Sequence, residues 1–329
     1  MKLHSLAYAA LGASWLLIGT GVANADFTPK KPECIAPAKP GGGFDLTCRI
    51  LTTSLDKSSL LDKPMRVTFM PGGVGAVAYT HMNSNRRTDD NAVVAFSSGS
   101  SLNLALSKFG NNLGVDDARW IGAVGTDYGA IIVKDDAPWK NLTELAADLK
   151  ANPDKLVFGA GGTVGSQDWM KAAFFYQHLG LDPRTMRYVA YEGGGDALAA
   201  VLGNHIQVYP GDMSEIKGQL DAGIVRVLAV LSPERLEDDF ADIPTALEQG
   251  LDLEWPIMRG FYMAPEASDE AYQYWVQQFD ALYDTEAFAE VRNKQGLFPL
   301  SISGDKYEEY VRNEIANFQE LSREMGLLK

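Results

Sequence analysis

Short apolar runs alternate along the chain with glycine-rich turns and with stretches in which apolar residues recur at helical spacing. The run at 65–70, for example, is followed by a glycine turn at 71–75 and by a helical stretch at 76–83. Strands that alternate with helices in this way predict an α/β protein with largely parallel sheets. The predicted strands cover residues 34–37, 65–70, 92–96, 120–124, 128–133, 156–159, 186–190, 206–209 and 225–231.

Helices are predicted where apolar residues return every three or four positions. Asn141 and Glu144 form a capping box that opens one of these helices. Two amphipathic helices near the C-terminal end carry no motif, and we interpret them as packing helices. The predicted helices cover residues 46–55, 76–83, 102–106, 141–150, 167–179, 196–202, 270–284 and 305–321.

Four glycine-rich turns lead into predicted helices, at residues 39–45, 71–76, 159–166 and 191–197. A helix start exposes unpaired N–H groups and a partial positive charge, and glycine lets a ligand approach the backbone closely. Such a turn can bind an anion without a lysine or an arginine. One turn alone could be a simple loop. Four of them at the carboxyl ends of parallel strands predict a shared anion-binding cleft.

Motifs for nucleotide binding and catalysis do not occur in the sequence. No turn fits G-x-G-x-x-G or G-x-x-x-x-G-K-[ST], and there is no G-x-S-x-G elbow. His81, His178 and His205 are not spaced as metal ligands. The sequence therefore predicts a binding protein that is not an enzyme and uses no metal or cofactor. Asp45, directly after the first turn, either caps the following helix or orders water and hydroxyl groups of a ligand.

The charge balance excludes some partners. The formal net charge is −14, which argues against nucleic acid and anionic membrane surfaces as partners. An acidic protein that binds an anion must do so through local features such as the glycine turns.

The N-terminal residues have the three parts of a secretory signal peptide. A positive start is followed by an apolar stretch at 5–22 and an A-x-A site at 23–25. The alternative is a membrane anchor, but the apolar run is short for a span. Cleavage near Ala25 predicts export to the periplasm, without stable membrane insertion. The remaining chain of about 300 residues predicts two domains.

The two cysteines, Cys34 and Cys48, flank the first glycine turn. Export implies an oxidising compartment, where a close pair usually forms a disulfide. The alternative is two free buried thiols. A bridge would close a loop of about 14 residues and stabilise the protein by ~3 kcal/mol.

Taken together, these segments resemble the substrate-binding proteins of tripartite tricarboxylate transporters, also called the Bug receptor family. The resemblance covers nearly all of the chain after the signal peptide, and the first turn is most similar to the tricarboxylate-type members. It is carried by CIAPAKPGGGFDLTCR (34–49), MPGGVGAVAY (70–79), FGAGGTVGSQDWMKAAFF (158–175), VAYEGGGDALAAVLGNHIQV (189–208), VRVLAVLSPERL (225–236) and IPTALEQGL (243–251).

This resemblance implies a periplasmic binding protein-like fold of type II, with two α/β lobes and a ligand cleft between them. Residues 26–127 and 231–329 would form lobe 1, and residues 128–230 an inserted lobe 2. The implied function is capture of a small carboxylate, with a di- or tricarboxylate such as citrate favoured. A monomer is expected to deliver this ligand to the membrane subunits of a transporter.

The resemblance also implies a ligand-binding set, in which main-chain N–H groups of the turns and nearby hydroxyl groups hold the carboxylate oxygens. The implied residues are Gly42, Gly43, Phe44, Asp45, Thr47, Gly73, Val74, Gly75, Ala76, Ser98, Gly162, Thr163, Gly165, Ser166, Gly193, Gly194, Gly195 and Asp212.

Two features depart from the family pattern. The strand at 206–209 lacks an aspartate that many members carry, and Asp212 comes later. Glu192 places a negative charge close to the proposed anion site.

Other functions remain open at this point. An exported carboxylate sensor for a signalling receptor would need the same cleft. The aromatic residues Phe44, Trp169 and Tyr191 could line the ring of an aromatic acid or could pack in the core. An enzyme is disfavoured because no nucleophile–base pair or metal set is visible.

Overall fold

The computed structural model describes residues 27–110 and 112–328, so the predicted signal peptide lies outside the described residues. The described strands are β1 Glu33–Ala36, β2 Arg66–Phe69, β3 Ala92–Ser97, β4 Arg119–Tyr128, β5 Ala130–Lys134, β6 Val157–Gly161, β7 Arg187–Tyr191, β8 Val225–Val230 and β9 Pro256–Met263. The described α-helices are α1 Gly43–Lys57, α2 Ala76–Asn85, α3 Ser98–Ala105, α4 Leu142–Ala151, α5 Gln167–His178, α6 Gly194–Leu202, α7 Met213–Asp221, α8 Asp269–Tyr283, α9 Glu286–Lys294 and α10 Gly304–Glu324.

The first sheet has five strands in the order β2-β1-β3-β9-β4. β1 pairs in parallel with β2 and β3, whereas β9 runs antiparallel to both β3 and β4. All six residues of β3 are buried, as its continuous apolar run predicts for a strand inside a covered sheet. Because β1, β2 and β3 are parallel, the turns that follow β1 and β2 lie at one edge of this sheet.

β9 was not predicted from the sequence. It comes well after the other strands in the sequence, and its apolar run is interrupted by Arg259 and Gly260. Its position between β3 and β4 is nevertheless central, and all but its first residue are buried. β9 therefore brings a charged side chain into the interior of the molecule.

A second group of strands follows β4. β5 pairs antiparallel with β8, and β6 pairs in parallel with β7. Val208 bridges to Phe158 and Tyr209 bridges to Ile132, so this segment connects the two pairs. The predicted strand at 206–209 is thus present only as isolated bridges, because each of its two pairing residues has a single partner on a different neighbour.

Other element boundaries also differ from the prediction. β4 continues through Tyr128, so the strand predicted at 128–133 begins at Ala130. The helices α7 and α9 were not predicted. α7 contains Gly218 and several polar residues, which weaken the helical signal. Among the described helices, none combines the length and apolar character needed to cross a membrane.

Three hydrophobic clusters form the interior. The first core takes residues from the first sheet and from the helices α1, α8 and α10. The second and third cores take residues mainly from 130–257. Residues between Leu236 and Ile257 pack in these two cores, although residues from 231 onward were expected in lobe 1.

Cys34 and Cys48 form a disulfide, as predicted. Both residues are fully buried in the first core. The bond joins β1 to the second turn of α1 and closes the loop that contains the first glycine turn.

Candidate functional site: a cleft between the glycine turns

A cleft of about 340 Å³ lies where the four glycine turns meet. Two of these turns precede β4 and two follow β5. The walls of the cleft therefore come from two parts of the chain that contribute to different hydrophobic cores. The predicted site residues that line it are Gly42, Gly43, Phe44, Gly73, Val74, Gly162, Thr163, Ser166, Gly193, Gly194 and Asp212. Those that do not line it are Asp45, Thr47, Gly75, Ala76, Ser98, Gly165 and Gly195.

Asp45 and Thr47 belong to the first turn of α1 but point away from the cleft. Asp45 Oδ2 accepts the N–H of Gly41 at 2.8 Å, and its Oδ1 lies 2.8 Å from Arg49 Nε. Thr47 Oγ1 donates to the carbonyl of Gly43 at 2.7 Å. Both side chains therefore hold the glycine turn in place. Asp45 does not cap α1, because the N–H that it accepts lies before the helix and α1 has no side-chain cap.

The second turn depends on a left-handed backbone. Gly73 and Gly75 have φ values of 60° and 101°, a region that glycine adopts without strain. Ser100 Oγ of α3 donates to the carbonyl of Val74 at 2.9 Å and thereby fixes the turn. Gly75 lies against Ser100 and Ala76 begins α2, which places both behind the lining residues. No side chain caps this helix start.

The third turn is capped by the protein itself. Ser166 Oγ accepts the N–H of Trp169 at 3.3 Å and lies 3.2 Å from the carbonyl of Gly161. The carbonyl of Gly165 accepts a hydrogen bond from Lys108 Nζ at 3.3 Å. Lys108 lines the cleft, and burial lowers the pKa of its ammonium group.

The fourth turn begins α6, and no side chain caps this start. Gly193 and Gly194 face the cleft, whereas Gly195 borders a separate hollow of about 130 Å³. Glu192 also lines the cleft, and in the chain it comes directly before the open start of α6.

The three aromatic candidates divide between cleft and core. Phe44 and Tyr191 line the cleft. Trp169 is 4% exposed and belongs to the second core, so it packs in the interior instead.

Sequence reasoning missed a buried ionic cluster in the floor of the cleft. Arg259 of β9 donates from Nη2 to Asp127 at 2.7 Å and to Asp212 at 2.8 Å. Lys171 of α5 donates to Asp212 at 2.6 Å and lies 2.8 Å from Asp168. All five side chains are at least nine-tenths buried. Asp212 therefore joins the two cations, and Asp127 and Arg259 connect the cluster to the first sheet.

The pKa values in this cluster follow from burial and pairing. Burial favours the neutral form of Asp212, but Lys171 and Arg259 outweigh it and hold the pKa of that carboxyl below its ordinary value. For Asp127, burial outweighs the attraction of Arg259 and raises the pKa. Burial also raises the pKa of Asp168 to about 6, against the pull of Lys171. Two cations thus face three carboxyl groups, and both cations are already paired.

Glu215 of α7 is a further residue of the site that was not predicted from the sequence. Its Oε1 accepts the N–H of Gly43 at 3.0 Å, and its Oε2 accepts the hydroxyl of Tyr209 at 2.5 Å. It lines the cleft. Burial and the nearby Asp212 together raise the pKa of Glu215 to about 7.

One feature of the sequence could have identified some of these buried charged residues. Arg259 and Lys171 are lone charges inside otherwise apolar segments, IMRGFYM and WMKAAFF. A charge in a buried segment is rare unless it is paired. Asp168 lies three residues before Lys171, but the other partners cannot be read locally, since they lie 41 to 132 residues away.

Ser98 also turns away from the cleft. Its Oγ donates to Glu314 Oε1 of α10 at 2.6 Å and accepts the N–H of Met258 at 2.8 Å. The hydroxyl therefore fixes α10 to the first sheet. Burial raises the pKa of Glu314 to about 7.

Replacing Glu314 by glutamine should weaken the pH dependence of stability. In the folded protein the pKa of Glu314, about 7, lies above the ordinary value of a glutamate, so the folded state binds more protons in between and stability falls as pH rises through this range. Glutamine keeps the acceptor for Ser98 but does not titrate. Between pH 5.5 and 8 we expect the wild type to lose on the order of 1 kcal/mol more than Glu314→Gln.

The measurement is urea unfolding at both pH values. Glu309→Gln, at an exposed position of the same helix, is the matched control and should behave as the wild type. Equal pH dependence in the wild type and Glu314→Gln would contradict the prediction.

Within residues 27–110 and 112–328, no group of three or more His, Cys, Asp or Glu side chains is arranged to hold a metal ion.

Comparison with known proteins gives one consistent relationship. A family model described as "Tripartite tricarboxylate transporter family receptor" matches residues 53–327. The protein BugT of Bordetella pertussis is 26% identical over 308 residues, which are 92% of each chain.

Solved structures share the fold. The periplasmic binding protein BugD superposes with a TM-score of 0.81 at 22% identity, covering 92% of this chain and 99% of that chain. MatC from Rhodopseudomonas palustris with bound malate gives a TM-score of 0.76 at 18% identity, covering 88% of this chain and 98% of that chain. The predicted fold, a two-lobe α/β binding protein, is confirmed by these likenesses.

Proposed function

Because the chain belongs to the tripartite tricarboxylate transporter receptor family, we propose that it captures a small dicarboxylate in the cleft and presents it to transporter subunits in the membrane. Members of this family are solute-binding proteins and not enzymes, which agrees with the prediction of a non-catalytic protein. The observation that carries the proposal is the convergence of four glycine-led helix starts on one cleft.

The open helix starts indicate where the carboxylates bind. The first start is occupied by Glu215 and the third is capped by Ser166. The second glycine turn and the start of α6 have no capping side chain, and Gly73 and Gly193 line the cleft. We therefore propose that one carboxylate binds at the amides of the second turn and the other at the start of α6, where amide donors and the helix dipole stabilise it.

The charge of the walls favours two carboxylates over three. Asp168, Glu192, Asp212 and Glu215 line the cleft together with two cations, Lys108 and Arg259, and Arg259 is already paired with Asp127 and Asp212. A fully ionised tricarboxylate such as citrate would meet this excess of negative charge. The structure of MatC with malate, a dicarboxylate, supports this choice for a relative of the same fold.

The location of the protein and its lobes are part of the proposal. We propose export through the signal peptide at 1–25 and action as a monomer in the periplasm, where BugD is also described.

The first crossing between lobes is proposed at residues 127/128, as expected from the sequence. The return is proposed at 257/258, since residues up to Ile257 pack with the second core and Met258 packs with the first.

A thermal-shift screen tests the proposal. Malate, succinate, adipate, citrate, tricarballylate, benzoate and nicotinate would each be added, with glucose as the control. A ligand at 100 times its Kd stabilises the folded state by about 2.7 kcal/mol, which corresponds to a rise in Tm of several degrees for a chain of this size. A response to glucose and to no carboxylate would overturn the proposal. A response to benzoate or nicotinate alone would favour an aromatic acid against Phe44 and Tyr191.

A pair of variants tests the position of the site. Gly193→Asp adds a negative charge at the open start of α6 inside the cleft, and Gly195→Asp adds the same charge two residues later, outside it. A Cβ at either position meets no atom within 4 Å, so both variants should fold. We expect Gly193→Asp to weaken dicarboxylate binding by at least about tenfold, or 1.4 kcal/mol, and Gly195→Asp to weaken it much less. Equal losses would place the ligand elsewhere.

A further inference from the structure

Glu215 places a carboxylate of the protein where a ligand carboxylate would be expected. It belongs to α7, yet its Oε1 accepts the N–H of Gly43 at the start of α1, 172 residues away. On its other side lies the fourth turn, where a Cβ at Gly194 would overlap the Glu215 carboxylate. The group therefore fills the space between the first and fourth helix starts, which come from opposite walls of the cleft.

The neighbours of Glu215 carry an excess of negative charge. The charged and titratable groups that face it come from the segment before α7, from α5 and from β9. These groups are Tyr209, Asp212, Asp168 and Arg259. Arg259 is the only cation among them, and its guanidinium group is already paired with Asp127 and Asp212.

Glu215 is also the carboxyl group of this set that is best placed to take a proton. Asp212 is bound to two cations, Asp127 to one and Asp168 to one. Glu215 instead has two uncharged partners, the amide of Gly43 and the phenol of Tyr209. Its charged form gains least from its surroundings, and it is exposed to the cleft where the ligand enters.

We propose that Glu215 holds the start of α1 in the free protein and takes up one proton when a ligand carboxylate enters the cleft beside it. The inference rests on the proposed function, because it needs a carboxylate ligand. Two carboxylates that share a site of low polarity cannot both remain charged, so the second one raises the pKa of the first. The raised pKa of Glu215 in the free protein, about 7, is consistent with this coupling.

Titration calorimetry with malate between pH 6 and 8.5 tests the coupling, using two buffers of different ionisation enthalpy to count protons. We expect the affinity of the wild type to fall by about tenfold for each pH unit above neutrality, with uptake of close to one proton at pH 8. Glu215→Gln should bind malate with an affinity that does not change over this range and should be about tenfold tighter than the wild type at pH 8. It should take up no proton.

A second variant keeps the proposal testable if Glu215→Gln does not fold. Tyr209→Phe removes the hydroxyl that stabilises the charged form of Glu215, so the midpoint of the pH profile should move to higher pH while the slope remains. Folding of both variants is checked by circular dichroism.

The failure of the inference differs from that of the proposed function. Malate binding that is independent of pH in the wild type, or a slope that persists in Glu215→Gln, overturns the inference alone. Absence of binding by any dicarboxylate at every pH, including pH 6, overturns the proposed function and the inference with it.

Discussion

Replacing Arg259 by methionine is expected to destabilise the protein by about 3–5 kcal/mol. Methionine fills a similar volume but leaves Asp127 without a cation and Asp212 with Lys171 alone. Both carboxylates are almost completely buried, and a buried charge that has lost its partner costs several kcal/mol even when the pair itself contributed little. Because each acid can escape the cost by taking up a proton, the loss should be larger at pH 8 than at pH 5.

Urea unfolding at both pH values measures this loss, and Arg235→Met is the matched control. Arg235 pairs with Glu248, but both side chains are close to half exposed. Such a pair contributes about 0–1 kcal/mol, so its removal should have a small effect. Adding Asp127→Asn to Arg259→Met should recover part of the stability, since it removes one of the orphaned charges. Similar losses in Arg259→Met and Arg235→Met would mean that the cluster is not a buried ionic network.

The same cluster shows why the site could be predicted only in part. The glycine turns are local features, in which the residues that bend the chain are adjacent to the amides that face the cleft. Within each pair, β1 with β2 and β6 with β7, the turns lie together because the carboxyl ends of parallel strands share one edge of a sheet. For this reason Gly42, Gly73, Gly162 and Gly193 could be predicted as lining residues, and the structure brings them together.

The paired charges could not be predicted in the same way. Arg259 and Asp127 are 132 residues apart, and Glu215 and Gly43 are 172 residues apart. Such pairs depend on how β9 enters the first sheet, and that strand was itself missed because its apolar run contains a charge. The sequence thus predicted the glycine turns, Asp212 and Glu192, and missed the positions of Asp168, Glu215 and Arg259 in the cleft lining.

Polar residues next to the turns were predicted less well than the glycines. Thr47 and Ser98 were expected to reach a ligand, but each binds the protein's own backbone or side chains. A hydroxyl close to a helix start has local acceptors available, and satisfying them costs no ordering of a separate molecule. Proximity to a glycine turn therefore indicates a support role as often as a ligand contact.

Removing the disulfide should lower ligand affinity while the protein remains folded. The bond joins the middle of β1 to the second turn of α1 and encloses the first glycine turn. Its loss in Cys34→Ala/Cys48→Ala should reduce the free energy of unfolding by about 3 kcal/mol. Alanine is chosen because both positions are fully buried in an apolar core, where serine would add unpaired hydroxyl groups.

Affinity is expected to fall because the first glycine turn regains conformational freedom when the disulfide is removed. With the bond intact, Gly42 and Gly43 are held between two anchored elements, so that the start of α1 is ordered before a ligand arrives. Without it, a ligand must order the turn on binding, which weakens binding by a conformational cost. We expect malate to bind about tenfold less tightly, or 1.4 kcal/mol, at temperatures where circular dichroism shows a folded protein.

Two comparisons separate this effect from general destabilisation. Reduction of the wild type by dithiothreitol should reproduce the loss of the double variant, because both remove the same covalent link. Glu314→Gln also changes a contact that supports the first sheet, but at α10 and away from the turn, so it should leave malate affinity unchanged. If the double variant bound malate as tightly as the wild type, the bond would serve stability alone.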